Sequence, residues 1–364
     1  IMNYYFDNKN LMLITSYIFI IFYSFIFQIP ALIALGTFIA GLFSFFYLNK
    51  ISFSSNYLAL SIITFFICIP AFFKLFHGWT PLFYLFSTLI TIVSVSKILT
   101  NPDRIILKAI RIIYSSFILF IIYLIIINRN QIHPFEEAMP GTSTNGIPSY
   151  LIILQSSLSI FNYRVNNKLP YFSPLITFIV CIIGIGRSSL VISFLILIGT
   201  FYFNFITSRN KINSKSLLIS FVIIIGIYFL GLEVYENIFR ITKLSAGFEL
   251  YHRSKLLNAY LNNMNFIDLI IGKDYSGSII EFVYYNNPHN SLIRAHSYMG
   301  LPYFLTIILS PFIIIFQNYN YKYKIMITFF SLALIARSFT DPILFPTLLD
   351  FFYFLNIFPR QINI

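Results

Sequence analysis

Long apolar runs constrain this chain more than any other feature. Residues 11–27 and 188–206 are two examples. At ~1.5 Å per helical residue, such runs are about as long as the ~30 Å hydrocarbon core of a bilayer. They are continuous rather than alternating, so the expected spanning element is a helix and not a barrel strand. Composition agrees: 58% of residues are hydrophobic and only 10% charged, against roughly 25% charged in a soluble domain. Too few charges are present to cover a globular surface with water-facing groups. The expected class is an all-α, polytopic membrane protein.

Twelve spans are read from the apolar runs, at about 10–28, 30–48, 57–74, 80–97, 110–127, 148–163, 170–186, 188–206, 216–232, 298–316, 325–340 and 342–358. Pro30, Pro81, Pro148, Pro170 and Pro342 lie near span starts, where a missing backbone N–H costs least. The sixth span is the weakest, because Gln155 and several serines dilute it. The organisation is then 1–232 with nine spans, a large polar loop at 233–297, and 298–364 with three more, all within one integral membrane domain. That loop holds three of the five histidines and six of the twelve acidic residues.

A net charge of +12 in a soluble protein would point to nucleic acid. Here the basic residues gather at span ends, where they act as topology anchors, and no nucleic-acid partner is expected. With the N-terminus inside, fourteen Lys and Arg fall on the cytoplasmic side. Only Lys74, Arg129, Arg187 and Arg337 fall outside, the long loop excluded. Both termini are expected in the cytoplasm and the long loop on the extracytoplasmic side. The first run lacks a small-residue cleavage site and leads straight into another span, so it reads as a span and not a signal peptide. Cys68 and Cys181 lie inside apolar runs and read as packing residues; no spacing resembles a zinc site.

The exceptions to this pattern carry the candidate chemistry. Arg187 stands in Gly184-Ile185-Gly186-Arg187-Ser188-Ser189, between two apolar runs with almost no loop. An arginine in that place is either a snorkelling residue at headgroup level or a phosphate contact at a helix start. In the loop, residues 251–263 form an amphipathic stretch that orients Arg253, with Leu256, Leu257, Tyr260 and Leu261 available to the membrane or the bundle. The alternative is a plain interfacial helix whose cations meet lipid phosphates. Residues 267–272 read as a short buried segment ending at a glycine turn. His289 follows Pro288 and precedes a helix; a neutral imidazole there is a structural residue or a general base for a hydroxyl. The topology puts Arg187, Arg253 and His289 on one face, an arrangement suited to a pyrophosphate-linked donor and a hydroxyl acceptor. Neither a metal site nor a cofactor is expected, so cationic side chains would stabilise the leaving group.

The residues also carry a family resemblance. His289-Asn290-Ser291-Leu292-Ile293 with Met299-Gly300-Leu301, Gly186-Arg187-Ser188 at a helix head, and Arg253 with Leu256-Leu257 and Ile271-Gly272 together resemble signature motifs of the O-antigen ligase/polymerase superfamily, in the same order. The likeness covers roughly residues 170–355. Gly186, Leu257, Asp274, Ile293 and Tyr303 depart from the family pattern. The resemblance implies a GT-C-like membrane glycosyltransferase that takes glycan from undecaprenyl pyrophosphate without a metal. It implies pyrophosphate contacts for Arg187 and Arg253 and a catalytic role for His289, with Arg294, His296, Tyr251, Arg337 and Asn290 as secondary substrate-binding candidates.

The expectation is therefore an O-antigen or related surface polysaccharide polymerase of the bacterial inner membrane, with its active site facing the periplasm. Its substrates would be undecaprenyl-pyrophosphate-linked repeat units, and its partners the bilayer, a chain-length regulator and a flippase. Short termini and divergent motifs favour polymerase over the ligase that transfers glycan to lipid A–core. A lipid-linked oligosaccharide flippase or other transporter is the rival from another class. Such a protein would carry midplane charges or internal repeats, and neither is evident.

Overall fold

A computed structural model describes residues 2–46, 64–74, 78–131, 134–135, 146–207, 251–316 and 320–358. It is all-α among these. The helices are α1 (Met2–Ile26), α2 (Pro30–Phe46), α3 (Pro70–Phe73), α4 (Thr80–Ile98), α5 (Asp103–Ile127), α6 (Gly146–Asn166) and α7 (Phe172–Ile183). They continue with α8 (Arg187–Thr207), α9 (Tyr251–Leu261), α10 (Phe266–Ile271), α11 (Ile279–Phe282), α12 (Ser291–Ile313), α13 (Tyr321–Ser338) and α14 (Asp350–Ile357). Among the described residues, five segments are long and apolar enough to cross a membrane: Asn8–Ile26, Thr80–Ile98, Asp103–Ile127, Arg187–Phe205 and Ser291–Phe316. The predicted span at 216–232 and the first part of the loop, 233–250, lie outside the described residues, as do residues 57–63 of the predicted span at 57–74.

The segment predicted as the diluted sixth span forms α6, which is not among those five, and its serines have a physical reason. Every residue from Gly146 to Asn162 is buried, so α6 is wrapped by protein and shows no lipid-facing stripe. It packs on α5, α13, α14, α7 and α8. Close helix approach favours small residues in a membrane bundle. Gln155 Nε2 donates to Ser159 Oγ at 2.8 Å, and Ser156 Oγ bonds back to the Ile152 carbonyl at 2.9 Å.

The predicted span at 342–358 is different in the structure. Residues 340–349 form turns, and only Asp350–Ile357, eight residues long, is helical. At ~1.5 Å per residue this helix reaches about 12 Å, too short to cross a bilayer. It is buried along its whole length and packs against α4, α6 and α13. The Asp350 carboxylate explains the interruption: it accepts hydrogen bonds from the backbone of Phe345 (2.7 Å) and Thr347 (2.9 Å) and from Tyr303 (3.2 Å). Those bonds hold the turns in place inside the bundle.

The described part of the long loop sits on one end of the bundle, and close glycine contacts fix it there. Gly272, at φ +97, follows α10, and a Cβ at this position would lie 2.0 Å from the His296 carbonyl. Gly300, at φ +76, kinks α12, and a Cβ there would lie 2.6 Å from the Ile270 carbonyl. Only glycine permits both the left-handed backbone and this approach. Lys74 adds a clasp, donating to Asp274 Oδ1 (2.9 Å) and to the Ser297 carbonyl (2.5 Å). Asp274 thus anchors the loop through charge.

Residues 267–271 depart from the expected buried segment. An Asn265–Asp268 capping box starts α10, and no residue of that helix is buried. Phe266 is 74% and Ile267 65% exposed. An apolar helix at the end of a membrane bundle can place its side chains in the interface instead of in a protein core.

Candidate active site

Three chain segments meet at the loop-bearing end of the bundle, and hydrogen bonds join them. Ser291 Oγ donates to the Asp341 carbonyl at 2.6 Å, which brings the segment after α13 beside the start of α12. Thr340 Oγ1 donates to Ser188 Oγ at 3.0 Å, which brings the same segment beside the start of α8. Arg337 at the end of α13 pairs with Asp341 and also donates to Ser149 in the first turn of α6. Arg187 adjoins Ser188 and His289 lies two residues before Ser291. Both are therefore carried to Asp341 by contacts of their chain neighbours.

Arg187 opens α8 after a turn in which Ile185 adopts φ 59. A β-branched residue in the left-handed region is strained by about 1–3 kcal/mol, and such strain gathers at functional sites. Gly184 permits the turn to press on α6, since a Cβ there would lie 2.4 Å from Pro148 Cγ. The Gly186 carbonyl accepts the first helical bond, from Leu190 at 2.9 Å. Arg187 thus combines its guanidinium with the positive end of a long helix.

Arg253 lies in the first turn of α9 and is half-buried. Leu256 and Tyr260 on the inner face of α9 are buried, while Leu257 and Leu261 are exposed. Arg253 lies within electrostatic range of Asp341, Arg337 and Arg187. Burial lowers its pKa, with Arg337 and Arg187 adding to the effect and Asp341 opposing it. An arginine remains cationic under such a shift. Among the described residues its guanidinium makes no hydrogen bond.

His289 sits at φ 49, just before the Asn290 cap of α12. Its ring meets Tyr284 edge-on, with centroids 5.5 Å apart, and neither ring nitrogen hydrogen-bonds a described residue. Burial pushes its pKa below the ordinary histidine value; Arg253 pushes the same way and Asp341 pulls it back. At neutral pH the ring is neutral and can accept a proton.

The secondary candidates divide differently. Asn290 Oδ1 accepts from the backbone N–H groups of Leu292 (2.8 Å) and Ile293 (3.2 Å), so it serves as the helix cap. Arg294 donates to the carbonyls of Leu344 (2.7 Å) and Phe345 (3.3 Å) and holds the turns below the site. His296 bridges α9 and α10: Nε2 meets the Leu269 carbonyl at 2.8 Å and Nδ1 meets the Tyr260 hydroxyl at 2.6 Å. A carbonyl only accepts, so this geometry suits the tautomer with its proton on Nε2. Arg337 is fully buried in the cluster and engaged with Asp341. The structure therefore brings Arg187, Arg253, His289 and Arg337 together and gives Asn290, Arg294 and His296 work within the scaffold. Tyr251 opens α9, and its side chain lies outside the described residues.

Asp341 is the residue that sequence reasoning missed. It is 7% exposed and lies within electrostatic range of both Arg253 and His289. The signal was present: Arg337 and Asp341 stand at i and i+4 in an apolar stretch, where paired ionisable residues mark a functional site by default. No family model matches this chain, and neither a curated protein nor a solved structure is found to be similar to it.

Proposed function

We propose that this protein is a polytopic membrane glycosyltransferase of GT-C-like architecture that polymerises surface polysaccharide. It would join undecaprenyl-pyrophosphate-linked repeat units at the outer face of the bacterial inner membrane. The observation that carries the reading is the convergence of Arg187, Arg253 and a neutral His289 on Asp341, at the end of the bundle where the polar loop packs. Three guanidinium groups around one carboxylate leave an excess of positive charge, which suits a pyrophosphate.

In this reading the acceptor sugar hydroxyl attacks the anomeric carbon of the lipid-linked donor. His289 takes the hydroxyl proton as the new C–O bond forms. The bond between the anomeric carbon and the pyrophosphate oxygen breaks, and its electrons leave with the lipid pyrophosphate. Arg187 and Arg253 meet the charge that develops there. Arg337 and Asp341 hold the other groups in position. A chain-length regulator and a flippase are the natural partners of such an enzyme.

Deleting the gene and examining surface polysaccharide tests the reading. Loss of a polymerase leaves a single repeat unit on lipid A–core, whereas loss of a ligase leaves bare core and accumulated lipid-linked polymer. A His289→Ala or Arg253→Ala variant that is well expressed and still makes full-length polymer overturns the site assignment.

A further inference from the structure

A second polar feature lies at the opposite end of α6. That helix meets the arginine cluster at Ser149 and reaches this feature at Asn162, about 20 Å further along its axis at ~1.5 Å per residue. There α5, α6 and the start of α7 enclose an open cavity of about 340 Å³, whose lining includes Arg111, Ser115, Asn162, Phe172 and Ser173. Its walls are fixed by hydrogen bonds. Tyr114 donates to the Ser173 carbonyl at 2.8 Å, and Asn162 Nδ2 donates to the Lys168 carbonyl at 2.7 Å.

Two groups in this cavity lack what their chemistry requires. Ser173 is only 9% exposed, yet its Oγ has no hydrogen-bond partner among the described residues. It stands in the first turn of α7, where Tyr171 gives no side-chain cap, so the leading N–H groups of that helix are not capped either. Arg111 spends one N–H on Asn162 Oδ1, at 2.6 Å. Its guanidinium is exposed at the cavity, and its remaining N–H groups meet no described residue. An unsatisfied buried hydroxyl, a helix start and a guanidinium that border one cavity are suited to phosphate oxygens.

The outer face of α5 indicates which phosphate. Arg104, Lys108, Arg111 and Ser115 follow one another at helical spacing, all exposed. The same stripe continues as Leu119, Ile122 and Ile126, also exposed. The face thus changes from cationic to hydroxyl to hydrocarbon, as a phospholipid does from headgroup to acyl chain. Twenty-five residues of α5 reach about 37 Å, more than the ~30 Å hydrocarbon core, so its cationic turns extend to headgroup level. Phe172 at the cavity mouth is 81% exposed, as aromatic side chains at a membrane interface are.

We propose that this cavity binds the phosphate headgroup of an anionic phospholipid, with an acyl chain laid along Leu119, Ile122 and Ile126. The proposal is independent of the transferase reading. Native mass spectrometry of the full chain in neutral detergent tests it, with phosphatidylglycerol and phosphatidylcholine as probes and inorganic phosphate as competitor. Phosphatidylglycerol should be retained in preference to phosphatidylcholine. Arg111→Gln should weaken its binding about tenfold, as expected for loss of a charge-assisted hydrogen bond. Ser173→Ala should weaken it about threefold, as for a neutral one. Lys9→Gln, which removes an equal charge outside the cavity, should leave it unchanged. Ser173→Ala keeps the carbonyl that Tyr114 binds, so its effect on retention is decisive should Arg111→Gln fail to fold. Equal retention of both lipids overturns the proposal, as does an equal effect of Lys9→Gln and Arg111→Gln. Displacement of phosphatidylglycerol by inorganic phosphate overturns it in favour of a free anion.

Discussion

Asp341→Asn tests the centre of the candidate site without reference to any reaction. Arg337 is fully buried and Asp341 nearly so, and the two are directly paired. Removing one partner of a buried pair costs about 3–5 kcal/mol, because the other charge is left uncompensated. Asparagine keeps an acceptor oxygen for the guanidinium, and a hydrogen bond to a charged group recovers about 1.5 kcal/mol of that cost. The expected loss is therefore about 1.5–3.5 kcal/mol, read from chemical unfolding of the purified protein in detergent. Arg337→Met alone should also destabilise, since it leaves the carboxylate buried. Combined with Asp341→Asn it should restore much of the loss, because a neutral pair carries no stranded charge. Additive losses in the double variant would refute the coupling. A second readout is His289, whose pKa Asp341 holds up. Asp341→Asn should lower it further, measured by hydrogen exchange at the imidazole carbon; a rise would contradict the placement of Asp341 beside that ring.

Gly272→Ala should destabilise the loop docking by about 3 kcal/mol or more, combining left-handed strain of about 1–3 kcal/mol with a contact to the His296 carbonyl that backbone cannot relieve. Gly277→Ala is its control, since φ is +71 there but nothing lies within 4 Å; equal effects, measured by amide exchange in α10, would show that close approach is not what requires Gly272. His289 gives a pH dependence with a definite sign. The unfolded imidazole takes its proton near ~6.5, whereas folded His289 takes it only at lower pH. The unfolded state thus binds more protons in that window, and stability falls as pH drops through it. His289→Gln should flatten this slope in melts between about pH 7 and 5; an unchanged slope would count against it. Lys74→Met removes donors to Asp274 and to the Ser297 carbonyl and should speed proteolysis of the segment after α10, while an unchanged cleavage rate would show that the clasp does not hold the loop.

What the sequence made legible follows from where each feature's energy is local. Apolar runs announce spans because a lipid-exposed backbone can satisfy itself only as helix, and the five described helices long and apolar enough to cross a membrane lie where the runs do. Arg187, Arg253 and His289 were legible because each stands at a boundary, where a polar residue interrupts an apolar run or opens a helix. The segment 342–358 misled for the opposite reason. Its residues are apolar enough for lipid, but the side chains it meets belong to α4, α6 and α13, and only Pro346 and Asp350 hinted at the turns. Arg294 and His296 look like ligand contacts in one dimension because residue type does not say which carbonyl lies nearby. Leu344 is fifty residues from Arg294, and Leu269 is twenty-seven from His296. Asp341 belongs to the same class: the bond from Ser291 that carries it to His289 spans fifty residues. A site assembled by such long-range bonds reveals its charged members at helix ends first. It yields the carboxylate that sets their balance only when the chain is folded.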